Sequence, residues 1–301
     1  MRWRLAVGLA VYVGLRPPSP MIAPSDQPAQ FVTEYSWDID EEWFGGFSGL
    51  EMLEDGLGFL IVSDKAEMVV GNLIRTGDQI TGVAIDRHFR LRDDEKKRIG
   101  GNRRDAEGIA LDVDGSFFVS FETVHRVWKY KSTESGAEWA SYSENFREFV
   151  SNGGFEAIAI DSQGRVYALP ESPISEQSTA PLYRYDPTLK PRWQIVLDLP
   201  RKGRFLPVGA DFGPDGRLYL LERDVFPFGF RSRVRMLTIE NDALVADDIV
   251  LETRLGRHGN LEGLSVWQDG DGNTRLTMVA DDNFYRVQNT EFVEYVLKGT
   301  P

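Results

Sequence analysis

The chain has 301 residues, of which 42% are hydrophobic and 12% aromatic, enough to bury a full-sized core, and all-β domains of roughly 200–250 residues commonly form one unit. Its 34 basic and 47 acidic residues leave a formal net charge of −13, which repels phosphate backbones and excludes nucleic acid as a partner. Cysteine is absent, so disulfides and thiolate chemistry are excluded, although this says nothing of compartment.

The first element is 1-MRWRLAVGLAVYVGLRPPSP-20, in which Arg2 and Arg4 precede an apolar run from Leu5 to Leu15. A basic start followed by a short apolar stretch has the form of a secretory signal, and the run falls short of the roughly 20 residues of a membrane span. No A-x-A cleavage triplet follows, so the segment is either removed or kept as an N-terminal anchor able to associate with a membrane. The alternative is an apolar first strand. The stretch 16-RPPSPMIAPSDQPAQ-30 reads as a Pro-rich linker. Residues 1–27 are thus signal and linker, residues 28–301 the folded domain, and the expected location is the periplasm.

A repeat follows. The copies are 48-SGLEMLEDGLGFLIVSD-64, 107-EGIALDVDGSFFVSFE-122, 156-EAIAIDSQGRVYALPE-171, 208-VGADFGPDGRLYLLERD-224 and 262-EGLSVWQDGDGNTRLTMVADDN-283, in steps of 59, 49, 52 and 54 residues. Each runs from an apolar stretch through a [DQ]-G turn or its longer equivalent to a β-branched or aromatic stretch and an acid. This is a hairpin pattern in which the glycine supplies the positive φ of the turn. Third strands are expected at 68–74, 126–130, 182–185, 233–239 and 284–288, and fourth strands at 79–85, 193–199 and 291–297. Four strands per period describe the blades of a β-propeller. The fold class is therefore all-β, a single propeller with five hairpins counted. The stretch 31-FVTEYSWDI-39 closes the ring or belongs to a degenerate sixth blade. One stretch, 137–150, has the pattern of a helix.

In a propeller the innermost strand starts at the face where its hairpin partner ends. Glu107, Glu156 and Glu262 open hairpins, joined by Ser48 and Val208. Asp64, Glu122, Glu171, Glu222 with Asp224, and Asp281 with Asp282 close them. The repeat therefore stacks carboxylates around one channel mouth, where mutual repulsion raises pKa values unless a divalent cation or arginines intervene. Arg126, Arg184, Arg223 and Arg286 are the candidate arginines. The plainer reading is that strand-end acids bond backbone amides or pair with surface cations. For Asp281 and Asp282, alternation along a strand sends one side chain into the channel and the other between blades; Asp282 is expected to face the channel and Asp281 to be structural.

Weaker signals are set aside. The stretch 45-GGFSGL-50 lacks the second spacer of a nucleophile elbow around Ser48. The stretch 269-DGDGNTRLTMVA-280 begins like an EF-hand loop but carries Thr274 and Ala280 where Gly and Glu are required. His88, His125 and His258 show no metal-ligand spacing. The basic run 95-EKKRIGGNRRDAEG-108 is a solvated loop or leans over the acidic rim to supply phosphate-binding charge.

The stretches FGGFSGL, VSDK, DAEGIA, GGFEAIA, LLERD and 260-NLEGLSVWQDGDGNTRLTMVADDNF-284 resemble the bacterial phytase-like family with esterase-like activity of phytase, and the resemblance covers roughly residues 31–297. The resemblance implies export and a propeller related to alkaline phytases, in which acids at the channel mouth bind calcium and calcium binds phosphate. On this reading the chain is a calcium-dependent hydrolase of a small phosphate ester or other ester. Glu107, Glu156 and Glu262 are inner metal ligands. Glu171 and Glu222 are outer ligands, Glu122 or Asp282 the general base, and Arg223 or Arg286 holds a substrate oxygen. The alternative is a non-catalytic envelope propeller that binds a ligand or a protein through the same face. A monomer is expected in either case.

Overall fold

The structure is a computed structural model that describes residues 27–139, 154–171, 179–186, 188–189, 192–285 and 288–299. The N-terminal signal-like segment lies outside these residues. The strand β1 (Ala29–Trp37) comes first in sequence but last in the architecture. The first blade is β2 (Phe47–Met52), β3 (Gly58–Ser63), β4 (Glu67–Thr76) and β5 (Gln79–Arg90). The second is β6 (Ala106–Leu111), β7 (Phe117–Phe121), β8 (Arg126–Tyr130) and β9 (Ala137–Trp139). The third is β10 (Phe155–Ile160), β11 (Val166–Pro170), β12 (Thr179–Tyr185) and β13 (Trp193–Pro200). The fourth is β14 (Leu206–Phe212), β15 (Leu218–Phe226), β16 (Gly229–Glu240) and β17 (Ala243–Glu252). The fifth holds β18 (Asn260–Gln268), β19 (Thr274–Asp281) and β20 (Thr290–Leu297), and β1 completes it.

Five four-stranded antiparallel sheets thus form a closed β-propeller, with β2, β6, β10, β14 and β18 innermost and neighbouring one another around the ring. The Velcro strand is β1, which pairs with β20 from Ala29↔Leu297 to Trp37↔Thr290. No sixth blade is needed. Among the described residues of the expected third strand at 284–288, none is in a strand: Phe284, Tyr285 and Gln288 lie in the turn before β20, which takes the third place and leaves the fourth to β1. Of the stretch read as helical, 137–139 is the edge strand β9 and the rest lies outside the described residues.

The hairpin turns are as the sequence suggests. Gly56, Gly115, Gly164, Gly216 and Gly272 all have φ between 65° and 81°, the region that glycine enters without steric penalty. Five apolar clusters fill the five gaps between blades, for example Val62, Ile109, Phe117 and Phe121 between the first and second.

Two features set the channel. First, every inner strand slips register at its opening residue: between Phe47 and Gly49, Ala106 and Ile109, Phe155 and Ala157, Pro207 and Gly209, and Leu261 and Gly263. Such a β-bulge leaves one residue unpaired and re-aims its side chain. Second, the next residue is small because the neighbouring blade's backbone abuts it. A Cβ on Gly49 would lie 2.8 Å from Ile109 N, and one on Gly108 2.7 Å from Glu156 O.

At the other end of the inner strands, side chains clasp the next blade. Val266 N donates to Asp211 Oδ2 (2.6 Å), Met52 N to Ser265 Oγ (2.9 Å) and Leu111 N to Glu51 Oε1 (3.0 Å). These bonds span the junctions from the fourth blade round to the second. Ala110 and Ala159 occupy the matching position in the second and third blades, so those junctions rely on apolar packing.

Candidate functional site

The five bulged residues are Ser48, Glu107, Glu156, Val208 and Glu262, one per blade. Between Ser48, Glu156, Val208, Glu262 and the inner glycines lies a small cavity of about 10 Å³, roughly the room one water needs.

Around that mouth the structure gathers Asp64, Asp105, Glu107, Glu122, Glu156, Glu171, Glu262 and Asp281. Burial raises the Glu107 pKa well above the carboxylate range, helped by Glu262, Asp105 and Glu122. Burial does the same to Glu156, with Glu107 and Glu171 adding repulsion. Glu122 is pushed up to about 7 by burial, then by Asp105 and Glu171. Asp64 also reaches about 7, through burial against the opposing pull of Lys65.

The two sides of the ring differ. Arg223, from β15, reaches across the side formed by the third to fifth blades. Its Nη2 donates to Glu171 Oε1 (2.8 Å), and its Nη1 donates to Asn260 Oδ1 (2.6 Å) and to Glu262. Asn260 Nδ2 also donates to Glu262 (2.7 Å). Burial alone would favour loss of the Arg223 proton, yet Glu262, Glu171 and Glu156 outweigh it and raise its pKa. Opposite, ligand oxygens of Asp105, Glu107 and Glu122 lie within 4.8 Å of one another, and no ion pair to them is found among the described residues. Asp64 stands on that side too, its buried Oδ1 without a hydrogen-bond partner.

A family model for phytase-like proteins, described as esterase-like activity of phytase, matches residues 42–284. The chain belongs to this phytase-like family. No curated protein matches it. Among solved structures, the phytase-like chain is similar to PQQ-bound aldose sugar dehydrogenase from Streptomyces coelicolor (13% identity, 87% of this chain and 98% of that one, TM-score 0.44). It is also similar to a catalytically inactive virginiamycin B lyase from Staphylococcus aureus with quinupristin (10% identity, 88% and 98%, TM-score 0.46). Likenesses this distant carry nothing about chemistry.

The phytase-like propeller departs from the sequence expectation at several positions. Glu222 is not brought to the ring. It is buried inside the fourth blade, accepting from Arg233 Nε (2.7 Å) and Arg235 Nη1 (2.9 Å). Its neighbour Arg223 takes the channel side instead, as alternation along β15 requires. Asp224 is buried beside Arg204 (3.5 Å). Asp282 is not the channel-facing member of its pair. Its Oδ1 accepts from Gly46 N (3.0 Å) and Phe284 N (2.9 Å), and its Oδ2 from Thr290 Oγ1 (3.2 Å). Asp281 is the last residue of β19, opposite Asn260, and feels Glu262 and Asp64 once burial has raised its pKa. Strand alternation does not extend to Asp282 because the strand has ended.

Arg286 lies outside the described residues. Arg184 pairs with Asp242 at the blade edge, and Arg126 packs over Phe121 and Trp128 (3.9 and 4.2 Å), so neither serves the ring. Ser48 Oγ donates to Gly46 O (3.4 Å), and no described histidine bonds to it. Asp105 was missed. The D-x-E spacing ahead of the second hairpin was the available signal, and Glu122 N donating to Asp105 O (2.8 Å) is what brings the three acids together.

Proposed function

We propose that this phytase-like propeller is an exported, metal-dependent ester hydrolase that acts on small phosphate esters at its acidic mouth. The observation that carries the reading is the asymmetry of the ring: one side holds its own arginine, the other has three converging carboxylates without a cation. Two oxygen ligands of one calcium ion, each at about 2.4 Å, can be at most about 4.8 Å apart, the limit that Asp105, Glu107 and Glu122 meet. These three would hold the ion. A bound divalent cation would supply charge neutralisation for the phosphate and a more acidic water.

The chain's own groups do the rest. Asp64 Oδ1, unpartnered and with its pKa near 7, is placed to accept a proton from an attacking water. Arg223 fixes Glu171 and Glu262 rather than gripping substrate, since its terminal nitrogens are already engaged. Lys65 and Arg104 lie close enough to influence each other beside Asp64, and they attract the anionic substrate to a mouth that would otherwise repel it. Export to the periplasm rests on the basic and apolar N-terminal segment, and a monomer suffices because one chain closes the ring.

The test is a calcium titration followed through melting temperature and hydrolysis of p-nitrophenyl phosphate together. Calcium should raise both, and Glu107→Gln with Glu122→Gln should abolish both responses while the fold persists. Calcium stabilisation without turnover of any ester would favour the non-catalytic envelope propeller; no calcium response at all would refute the site.

A further inference from the structure

The flank of the disc between the first and second blades carries a groove of about 930 Å³. None of the acids of the mouth lines it. Two features of its wall remain without partners, and both point to the same kind of ligand.

The first is a pair of arginines. Arg92 and Arg98 face each other across an isolated antiparallel bridge in the loop after β5. Both are exposed, and neither is in an ion pair among the described residues. Like charges placed directly opposite on paired backbone are unfavourable. The buried acid of this wall does not pair with them: Glu67, fully buried, accepts from Arg90 and meets His88 Nε2 at 2.9 Å. His88 in turn is held by Trp43, stacked at 3.9 Å between ring centroids. Glu67, His88 and Arg90 are thus engaged with one another, whereas Arg92 and Arg98 are in no ion pair among the described residues.

The second feature is Tyr130 in the groove wall. Its ring is stacked on Phe117 at 5.1 Å and its side chain is wholly buried, yet its hydroxyl has no hydrogen-bond partner. A buried donor left unpaired is costly, and native folds rarely retain one without a reason.

We infer that this groove is a second ligand site, one that takes an oxyanion, phosphate or carboxylate, through the Arg92–Arg98 pair and, once the wall parts to admit it, the buried Tyr130 hydroxyl. Two guanidinium forks side by side match the oxygens of such a group. Glu41 and Glu42 border the groove as well, so the anionic end of the ligand faces the arginines and the remainder is neutral or cationic.

Isothermal titration calorimetry on the full chain in excess EDTA, with inorganic phosphate and citrate as separate probes, tests this without contribution from a metal at the mouth. One probe or both should bind, and whichever binds tighter assigns the phosphoryl or carboxylate source. Arg92→Ala with Arg98→Ala should weaken that binding at least tenfold at an equal or higher melting temperature, since both side chains are exposed and their mutual repulsion is removed. Tyr130→Phe should leave the ligand-free protein as stable or more stable, because an unpaired hydroxyl is removed, and should shrink the ligand-induced rise in melting temperature. Absence of binding by both probes at millimolar concentration would overturn the inference. So would binding that survives the double substitution, or a ligand-induced shift untouched by Tyr130→Phe.

Discussion

Replacing Asp211 by Asn should remove a pH dependence built into the channel floor. Asp211 and Glu51 reach towards each other from the fourth and first blades, with Ser265 of the fifth between them. Burial pushes the Asp211 pKa up to about 7, against 3.8 for a free aspartate, even though Val266 N, Phe212 N and Ser265 stabilise its anion. Burial and the Asp211 charge raise Glu51 well above its ordinary value. A carboxyl whose pKa is higher folded than unfolded binds its proton more tightly in the native state, so its stabilising effect is complete below the unfolded pKa. It is lost as pH rises towards the folded one. The window is therefore about pH 4 to 7. The rise from 3.8 to about 7 corresponds to roughly 4 kcal/mol, at about 1.4 kcal/mol per tenfold change in proton affinity.

The assay is urea unfolding of wild type and Asp211→Asn at several pH values from 4 to 8.5. Other buried acids titrate in the same window, so the informative quantity is the difference between the two proteins at each pH. Asn retains an acceptor for Val266 N, and the stability of the variant relative to wild type should climb by several kcal/mol from pH 4 to 7 and level off above. Glu51→Gln should behave alike, and the double variant should gain less than the sum because one repulsion is removed only once. Two curves that stay parallel across this range would refute the reasoning, since they would mean that the folded Asp211 titrates like an ordinary carboxylate.

Three more outcomes can be measured in the same way. Arg223→Met should cost about 3–5 kcal/mol at neutral pH, the usual penalty for stripping a buried ion pair of one partner; unchanged unfolding would show that Glu171 and Glu262 need no counter-charge. Asp282→Asn should lower stability by about 1–3 kcal/mol through weakened bonds to Gly46, Phe284 and Thr290, whereas Asp281→Asn should raise it at neutral pH, and the opposite pattern in thermal melts would restore Asp282 to the channel. Gly49→Ala should cost about 1–3 kcal/mol by overpacking against Ile109 N, and a neutral result would mean that the blades can part there without penalty.

Much of the fold was legible because each hairpin carries its own local signal: a turn glycine, apolar runs of strand length and a closing acid. Strands β8 and β13 fall almost where periodicity places them. The failure at 284–288 has a physical cause. Phe284 and Tyr285 have strand-like side chains, yet Asn283 and Phe284 take φ of 49° and 52°, a turn held by Asp282, and no side-chain propensity encodes that long-range bond to Gly46. Glu222 and Arg223 misled for a related reason: adjacent residues point to opposite faces, and only the sheet's register decides which one sees the channel.

That register also explains why the ring exists at all. With ideal pairing, the opening residue of each hairpin would alternate with its small neighbour into a gap between blades, where Glu107, Glu156 and Glu262 could not be accommodated beside the next blade's backbone. The one-residue bulge at each of these positions turns the acid towards the axis and leaves glycine, or Ala157 in the third blade, to meet the neighbour. The motif E-G or E-A at the start of an inner strand is thus a single device with two parts. Val208 and Ser48 keep the bulge and the following glycine while lacking the acid, so the bulge belongs to the architecture of the propeller. The carboxylate is what three of its blades add to it, and Arg223 and the Asp105–Glu107–Glu122 cluster divide that added charge between them.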